Sequence, residues 1–449
     1  MKALRSSLLG AVLLVAALAV IVCWLNVRGE DSLTTAALDG GPNTTTTPVS
    51  DARLIAHGAY LARAGNCMGC HTAAAAPAYA GGRGVPTPFG TIYAPNLTPD
   101  VATGLGAWSK ADFWRAMHHG RSRDGHLLYP AFPYPNYTLV TRADSDALHA
   151  FLHSLPAVAQ PNKAHDLSFP FNNQAALAVW RALYFRAAGF VPDPQRSAEW
   201  NRGAYLVEGL GHCNACHASR NALGATNNPL DLAGGLIPVQ NWYAPSLASA
   251  AEAGVANWEV QHIVDLLKTG IAAPHGQQVA VAGPMSEVVG GATQYLSEPD
   301  LRAMAGFLKA LPQIETGRRV GASALVKGHT DDPANNQSAL DASVGGKLYA
   351  QHCASCHGAQ GEGVTGIYPA LAGARAITMG SPANLVHLVI EGGFPPSTAG
   401  NPRPFGMPPF ASLLSDAEVA QVLSFTRASW NNRTEAVSAL EVTRYRSSR

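Results

Sequence analysis

The sequence predicts an all-α protein of three small tandem domains behind one N-terminal transmembrane helix, and three observations carry that expectation. A Cys-x-x-Cys-His motif occurs three times, as Cys67-Cys70-His71, Cys213-Cys216-His217 and Cys353-Cys356-His357. After each copy comes a helical stretch that opens on a hydroxyl and a carboxylate three residues apart, the pattern of a capping box. The chain begins with an apolar run from Leu8 to Leu25, near the length that crosses a bilayer core. Repetition of this kind makes each copy one structural unit. At 449 residues the chain is long enough for each unit to bury its own core.

Residues 1–30 read as a membrane anchor. Lys2 and Arg5 precede the apolar run, and Trp24 and Arg28 close it. A cleaved signal peptide is the rival, because Ala17-Leu18-Ala19 resembles a cleavage site. Val20, Ile21 and Val22 prolong the run beyond an ordinary signal core, which favours an uncut anchor. The cationic start holds the N-terminus in the cytoplasm and sends the remainder outward. Residues 31–50, with Gly41-Pro42-Asn43, Thr44 to Thr47 and Pro48, read as a flexible tether.

The first domain is expected at 51–156, the second at 197–312 and the third at 338–432, with a connecting segment at 157–196, a polar linker at 313–337 and a tail at 433–449. Each domain leads with a short helix, marked by Gly58-Ala59-Tyr60-Leu61, Gly203-Ala204-Tyr205-Leu206, and Gly346 with Tyr349. Each motif is followed by a Tyr- and Pro-containing segment: Tyr93 to Leu97, Tyr243 to Leu247, and Tyr368 to Leu371. The closing helices start at Thr141 with Asp144, Ser297 with Asp300, and Ser415 with Glu418. Phe151, Phe307 and Phe425 lie at one shared offset from those caps, among Leu or Val at helical spacing, and are expected in the cores. Little reads as strand. The connecting segment carries Leu177, Trp180, Leu183, Tyr184 and Phe185 with two arginines and no acid. It is either an interfacial helix or, more commonly for such a stripe, packing between domains.

Composition excludes some functions. Net charge is +1 and no run of Lys and Arg stands out, so nucleic acid is not an expected partner. Only 14% of residues are charged, against about 25% in a typical soluble protein. Such a surface is covered by a partner or a membrane, or it reflects the chain's abundance of Ala and Gly. The seventh cysteine, Cys23, lies alone in the apolar run and reads as an inert buried thiol.

The motif itself is chemical. Two thiols at this spacing add to the vinyl groups of a haem while the adjacent imidazole takes the iron. Zinc wants four closed ligands, and a thioredoxin-like pair wants a βαβ context that is missing here. Three covalently bound haem c groups are therefore expected, held by Cys67, Cys70, Cys213, Cys216, Cys353 and Cys356, with His71, His217 and His357 on the irons. Met407, in Gly406-Met407-Pro408-Pro409, and Met285, in Gly283-Pro284-Met285, stand where a sixth ligand belongs. The bland alternative is that these thioethers fill a core. Met304 and Met379 read as core and loop residues. The first domain has Ala131-Phe132-Pro133 at the corresponding place, and Phe cannot ligate iron. His126, Met117, His118 and His119 are the candidates there, and a five-coordinate iron is the other option.

Short helix, Cys-x-x-Cys-His, Pro-x-Leu, Met loop and closing helix together resemble class I cytochrome c, so the expected fold is three tandem class I cytochrome c domains. Set behind a membrane signal, they resemble the cytochrome c subunit of bacterial membrane-bound periplasmic dehydrogenases, the group serving alcohol, gluconate and aldehyde dehydrogenases. Asn66 to His71, Gly283 to Val289 and Gly392 to Pro396 carry that resemblance. Leu128 to Tyr134 and Ala175 to Phe185 look most like the subunit that accompanies molybdenum aldehyde or aromatic-heterocycle oxidoreductases.

The resemblance implies an electron-transfer subunit in the cytoplasmic membrane with its haem domains on the periplasmic side. Its partners would be a catalytic dehydrogenase subunit with a molybdenum or quinone cofactor, an aldehyde being the expected substrate, an iron–sulfur subunit, and ubiquinone as acceptor. It also makes the carbonyls of Pro95, Pro245 and Pro369 candidates to hold the proximal imidazoles, unless those prolines only shape loops. A cleaved signal is usual in that group, so an uncut anchor departs from it. The sequence offers no catalytic acid, nucleophile or cofactor loop for substrate oxidation, which assigns that chemistry to another chain. The alternatives are a haem peroxidase working at an open first haem, and a free-standing redox carrier or oxidase-feeding cytochrome.

Overall fold

The structure is a computed structural model that describes residues 2–28, 51–226, 232–314 and 333–446. The tether at 31–50 and the linker residues 315–332 lie outside them. Lys2–Val27 forms one helix, apolar from Ser6 to Val27 and long enough to cross a membrane. Cys23, expected to be buried, is exposed on it, since none of the apolar span is fully covered by the rest of the chain. Only its end is docked. The Asn26 side chain donates to the Ala178 carbonyl at 2.9 Å and accepts from Arg181 Nε at 2.9 Å.

The described residues fall into two compact units. One comprises Met1–Pro192 with Glu208–His212 and Arg220–Pro229; the other comprises Asp193–Val207, Cys213–Ser219 and Leu230–Arg449. One helix crossing recurs three times within them. Asp51–Ala64 crosses Arg142–His153, Ala198–Ala204 crosses Glu298–Lys309, and Val344–His352 crosses Asp416–Ala428. At each crossing a glycine lets the backbones touch. A Cβ on Gly58, Gly203 or Gly345 would collide with the carbonyl oxygen of Ala147, Ala303 or Gln421, and with the Cβ of Phe151, Phe307 or Phe425. The third glycine is Gly345; its neighbour Gly346, which marks this helix in the sequence, faces the carbonyls of Leu340 and Asp341 instead.

The three phenylalanines each meet a second ring. Tyr79–Phe151, Trp200–Phe307 and Tyr349–Phe425 have centroids 5.7, 5.2 and 5.2 Å apart. All three N-cap hydroxyls accept, from the amides of Asp144, Asp300 and Glu418, but the expected reciprocal box is complete at Ser415 with Glu418 and not at the other two. Two of the capping acids also fasten the crossing: Asp144 meets His57 Nε2 at 2.8 Å, and Asp300 takes Arg202 through two 2.8 Å bonds.

The sequence expectation understates strand. Gly84–Thr87 and Gly90–Tyr93 form an antiparallel hairpin joined by Asp166–Leu167, and two further short pairs follow each other in the second unit. The hairpin residues Val85, Thr87, Thr91 and Ile92 are β-branched, which suits a pleated surface. The residues after 432 are not an idle tail. Val437 and Val442 are buried in the same core as Tyr349, Val419 and Phe425.

Candidate functional site

Each Cys-x-x-Cys-His motif is a single helical turn, closed by the histidine amide donating to the first cysteine's carbonyl: His71 to Cys67 at 3.0 Å, His217 to Cys213 at 2.9 Å, His357 to Cys353 at 3.0 Å. This turn puts both thiols and the imidazole on one short arc. The imidazole is then fixed from its far side. Nδ1–H donates to the carbonyl of Pro95 at 2.8 Å, of Pro245 at 2.7 Å, and of Pro369 at 2.9 Å. The prolines therefore do more than shape loops. With Nδ1 engaged, Nε2 is left as the donor atom in all three rings.

The proline segments are themselves pinned by a device that the sequence alone does not reveal. Gly81, Gly234 and Gly363 each donate an amide to the carbonyl of the motif histidine, at 2.8 Å in every copy. The amide of Leu97, Leu247 and Leu371, in the Pro-x-Leu or Pro-Ala-Leu segment, donates to the carbonyl of Tyr79, Leu232 and Gly361, two residues before those glycines. All three glycines have positive φ, at 78°, 81° and 68°. A Cβ on any of them would press on the backbone of the proline segment, at Pro95, Pro245 or Pro369. Only glycine combines that conformation with that approach.

Burial sets the charge state. It pushes the thiols of Cys67 and Cys213 up to about 12 and that of Cys353 up to about 11, with the neighbouring motif cysteine adding to the effect. It also lowers His71, His217 and His357, against the opposing pull of the proline carbonyls. Cys67, Cys213 and Cys353 thus present protonated thiols beside neutral imidazoles. That is the donor set for thioether formation and for an Nε2–iron bond. Buried indole nitrogens without a partner, Trp200 Nε1 and Trp430 Nε1, belong to rings packed on Phe307 and Phe425. Trp430 packs at 5.0 Å against Tyr349, whose own ionisation is held off by burial and by the Cys353 thiol. The residues present fit a haem at each motif.

The sixth-ligand candidates differ in setting. Met407 is half-buried against the third core, and its backbone exchanges hydrogen bonds with Gly393 at 3.0 and 2.7 Å. Met285 is half-buried in the first turn of Pro284–Gly291, after Gly283 at φ 53°, where a Cβ would strike the Trp242 ring. Met304 and Met379 are buried, as expected. In the first unit, His126 is exposed and tied to Asp124. Met117, His118 and His119 are all buried on the helix Lys110–His119. Phe132 stacks toward Tyr137, with centroids 5.3 Å apart. The Tyr137 ring is in turn 5.7 Å from that of His212, whose Nε2 lies 3.4 Å from the Gly65 carbonyl.

Residues 55–156 and 342–430 match the cytochrome c family. The chain is 38% identical over 413 residues to the cytochrome c subunit of alcohol dehydrogenase (quinone) from Gluconacetobacter polyoxogenes, covering 89% of this chain and 86% of that one. It is 36% identical to the gluconate 2-dehydrogenase cytochrome c subunit of Pantoea cypripedii, over 87% and 88% of the two chains. It is also 39% identical to a nicotinate dehydrogenase subunit of Pseudomonas putida, over 84% of this chain but 30% of that one.

Proposed function

This chain belongs to the family of dehydrogenase cytochrome c subunits, and from that premise we propose that it carries three haem c groups and passes electrons from a catalytic dehydrogenase subunit to ubiquinone. The observation that carries the haem count is the hydrogen-bonded frame of motif, proline carbonyl and glycine, which recurs at His71, His217 and His357. Each frame serves one of three tandem domains, spanning 51–156, 197–312 and 338–432. Bound haem supplies one-electron cycling of its iron. The chain's own residues do the rest. Cys67 with Cys70, Cys213 with Cys216, and Cys353 with Cys356 hold the group covalently. Nδ1–H donation to the prolines orients each ring and raises the basicity of Nε2. Met285 and Met407 would supply the sixth ligand of the second and third haems, where a thioether favours the ferrous state and a higher potential.

The helix Lys2–Val27 anchors the chain in the cytoplasmic membrane, with the haem domains on the periplasmic side, as its cationic start directs. The partner's substrate is small. The relatives' names point to an alcohol, gluconate, fructose or nicotinate, and none of these is the aldehyde expected from the sequence. The alcohol dehydrogenase (quinone) relatives favour a quinone partner over a molybdenum partner with an iron–sulfur subunit.

The test is purification of the chain from its native membrane in mild detergent. Haem is counted by the pyridine haemochrome assay, partners are identified by mass, and haem reduction is followed with ethanol, acetaldehyde, gluconate, fructose and nicotinate. Three haems, a co-purifying dehydrogenase and reduction by one substrate class are expected, with reoxidation by a soluble ubiquinone analogue. A lone cytochrome that no substrate reduces would overturn the reading.

A further inference from the structure

We infer that the haem at Cys67-Cys70-His71 has no sixth protein ligand and that its iron binds diatomic ligands of the carbon monoxide and nitric oxide class. This rests on the reading that each motif holds a haem. The helices before the three sixth-ligand loops share a register, because each ends on a glycine of positive φ: Gly120 at 57°, Gly270 at 80° and Gly392 at 85°. Counting back from those caps, Met117, His118 and His119 match Leu267, Lys268 and Thr269 in the second domain and Val389, Ile390 and Glu391 in the third. Leu267 and Ile390 are core residues at 7% and 4% exposure. Of these matched positions Leu267 and Ile390 are buried and the rest half-buried, and on the proposed reading the ligands of those two haems, Met285 and Met407, lie in the loop instead.

Both ring nitrogens of His118 and Nε2 of His119 are buried without a hydrogen-bond partner, so His118 is the rival ligand that the test below must separate. Met117 is 6% exposed on the buried face of Lys110–His119. His118 lies flat on Trp114, with centroids 4.2 Å apart and planes at 19°, an aromatic stack in the place that Ile390 fills in the third domain. The backbone carbonyl of His119 receives Arg181 Nη2 at 2.7 Å, which fixes this end of the helix. His126, after the helix, is held at the surface by Asp124.

That leaves the loop, where the second and third domains carry Met285 and Met407 and the first carries Phe132. The Phe132 ring faces Tyr137, and Tyr137 Oη reaches the Gly65 carbonyl at 3.5 Å, two residues before Cys67. Through Tyr137 the loop thus reaches the segment that leads into the motif, and at the position of Met285 and Met407 it carries a phenyl ring without a lone pair. Binding needs no co-reactant: the diatomic donates a lone pair to ferrous iron and no bond breaks.

The test uses the full-length, haem-loaded chain. Pyridine haemochrome first establishes three haems; a lower count overturns the reading above and this inference with it. With three haems present, the dithionite-reduced protein is titrated with carbon monoxide while optical spectra are recorded, and the oxidised protein is examined by electron paramagnetic resonance. One carbon monoxide per chain and one high-spin ferric haem are expected. Phe132→Met should abolish the binding and turn that haem low-spin, whereas Phe132→Leu should leave both unchanged. Three low-spin haems and no carbon monoxide binding in the unaltered chain would overturn the inference while leaving the haem count standing. If His118→Phe then opened a site, His118 would be the ligand instead.

Discussion

Burial changes the chemistry of single residues in this chain more than pairing does. Glu208 is the clearest case, since removal from water alone pushes its carboxyl up to about 7 from 4.5. Its folded form therefore holds a proton that the unfolded chain has already lost. Below pH 4.5 both states are protonated and the residue is neutral in its effect. As pH rises from 4.5 toward 7 the unfolded state ionises first, so stability falls across that window and then levels. Glu208→Gln removes the penalty. The Tm of the variant should match that of the parent near pH 4.5 and exceed it increasingly up to about pH 7. A Tm difference independent of pH would show that Glu208 is ionised in the fold. His118 lies at the opposite extreme. Burial first, and then the neighbouring His119, lower it to about 3, so it stays neutral over any working pH and adds no charge to the first domain.

At the scale of elements, the helix crossings make the sharpest demand on sequence. A methyl group at Gly58, Gly203 or Gly345 has no room against the facing carbonyl, so Ala at any of them should cost about 1–3 kcal/mol or more through overpacking. Gly306 is the control. It lies within Glu298–Lys309, where an added methyl group would meet nothing within 4 Å, so Gly306→Ala should stabilise by up to about 1 kcal/mol through helix propensity. Thermal unfolding of the four variants checks both signs; equal effects at all four sites would refute the crossing argument. The same elements show why some features are legible in the sequence. Caps such as Ser415 with Glu418 are local and carry fixed spacing, as do Cys67, Cys70 and His71, so they can be read directly. The glycines Gly81, Gly234 and Gly363 cannot, because each follows its histidine at a different distance along the chain. What unites them is a shared hydrogen bond and a positive φ, and both exist only after folding. The hairpin at 84–93 escapes a sequence reading for a related reason: it is short, and Pro86 interrupts its pattern.

For the whole molecule, the decisive question is whether the apolar N-terminal helix stays attached, since Ala17-Leu18-Ala19 offers cleavage as a rival. Asn26 bears on it. Its side chain bridges the Ala178 carbonyl and Arg181 Nε, and its own carbonyl accepts from Arg121 Nη2 at 3.2 Å. Arg181, only 3% exposed, also donates to the carbonyls of Gly120 and His119. The end of the helix is thus built into the interior polar network of the first unit, alongside the helix Gln174–Tyr184. That helix buries Leu177 and Ala182 but exposes Val179, Leu183 and Tyr184, and so offers an apolar face beside the anchor. Cleavage after Ala19 would leave Val20 to Trp24 as a short apolar stub still held at Asn26, an arrangement with neither a bilayer nor a core to cover it. The mature protein should therefore retain the helix, resist extraction from membranes by salt or alkali, and yield N-terminal peptides that begin before Ala17. Arg181→Ala should lower Tm, at about 1–3 kcal/mol for each buried acceptor left unpaired, without releasing the chain from the membrane. A mature N-terminus at Val20, found by mass spectrometry of the purified chain, would mean that the apolar run is only a signal and that membrane attachment must come from a partner subunit.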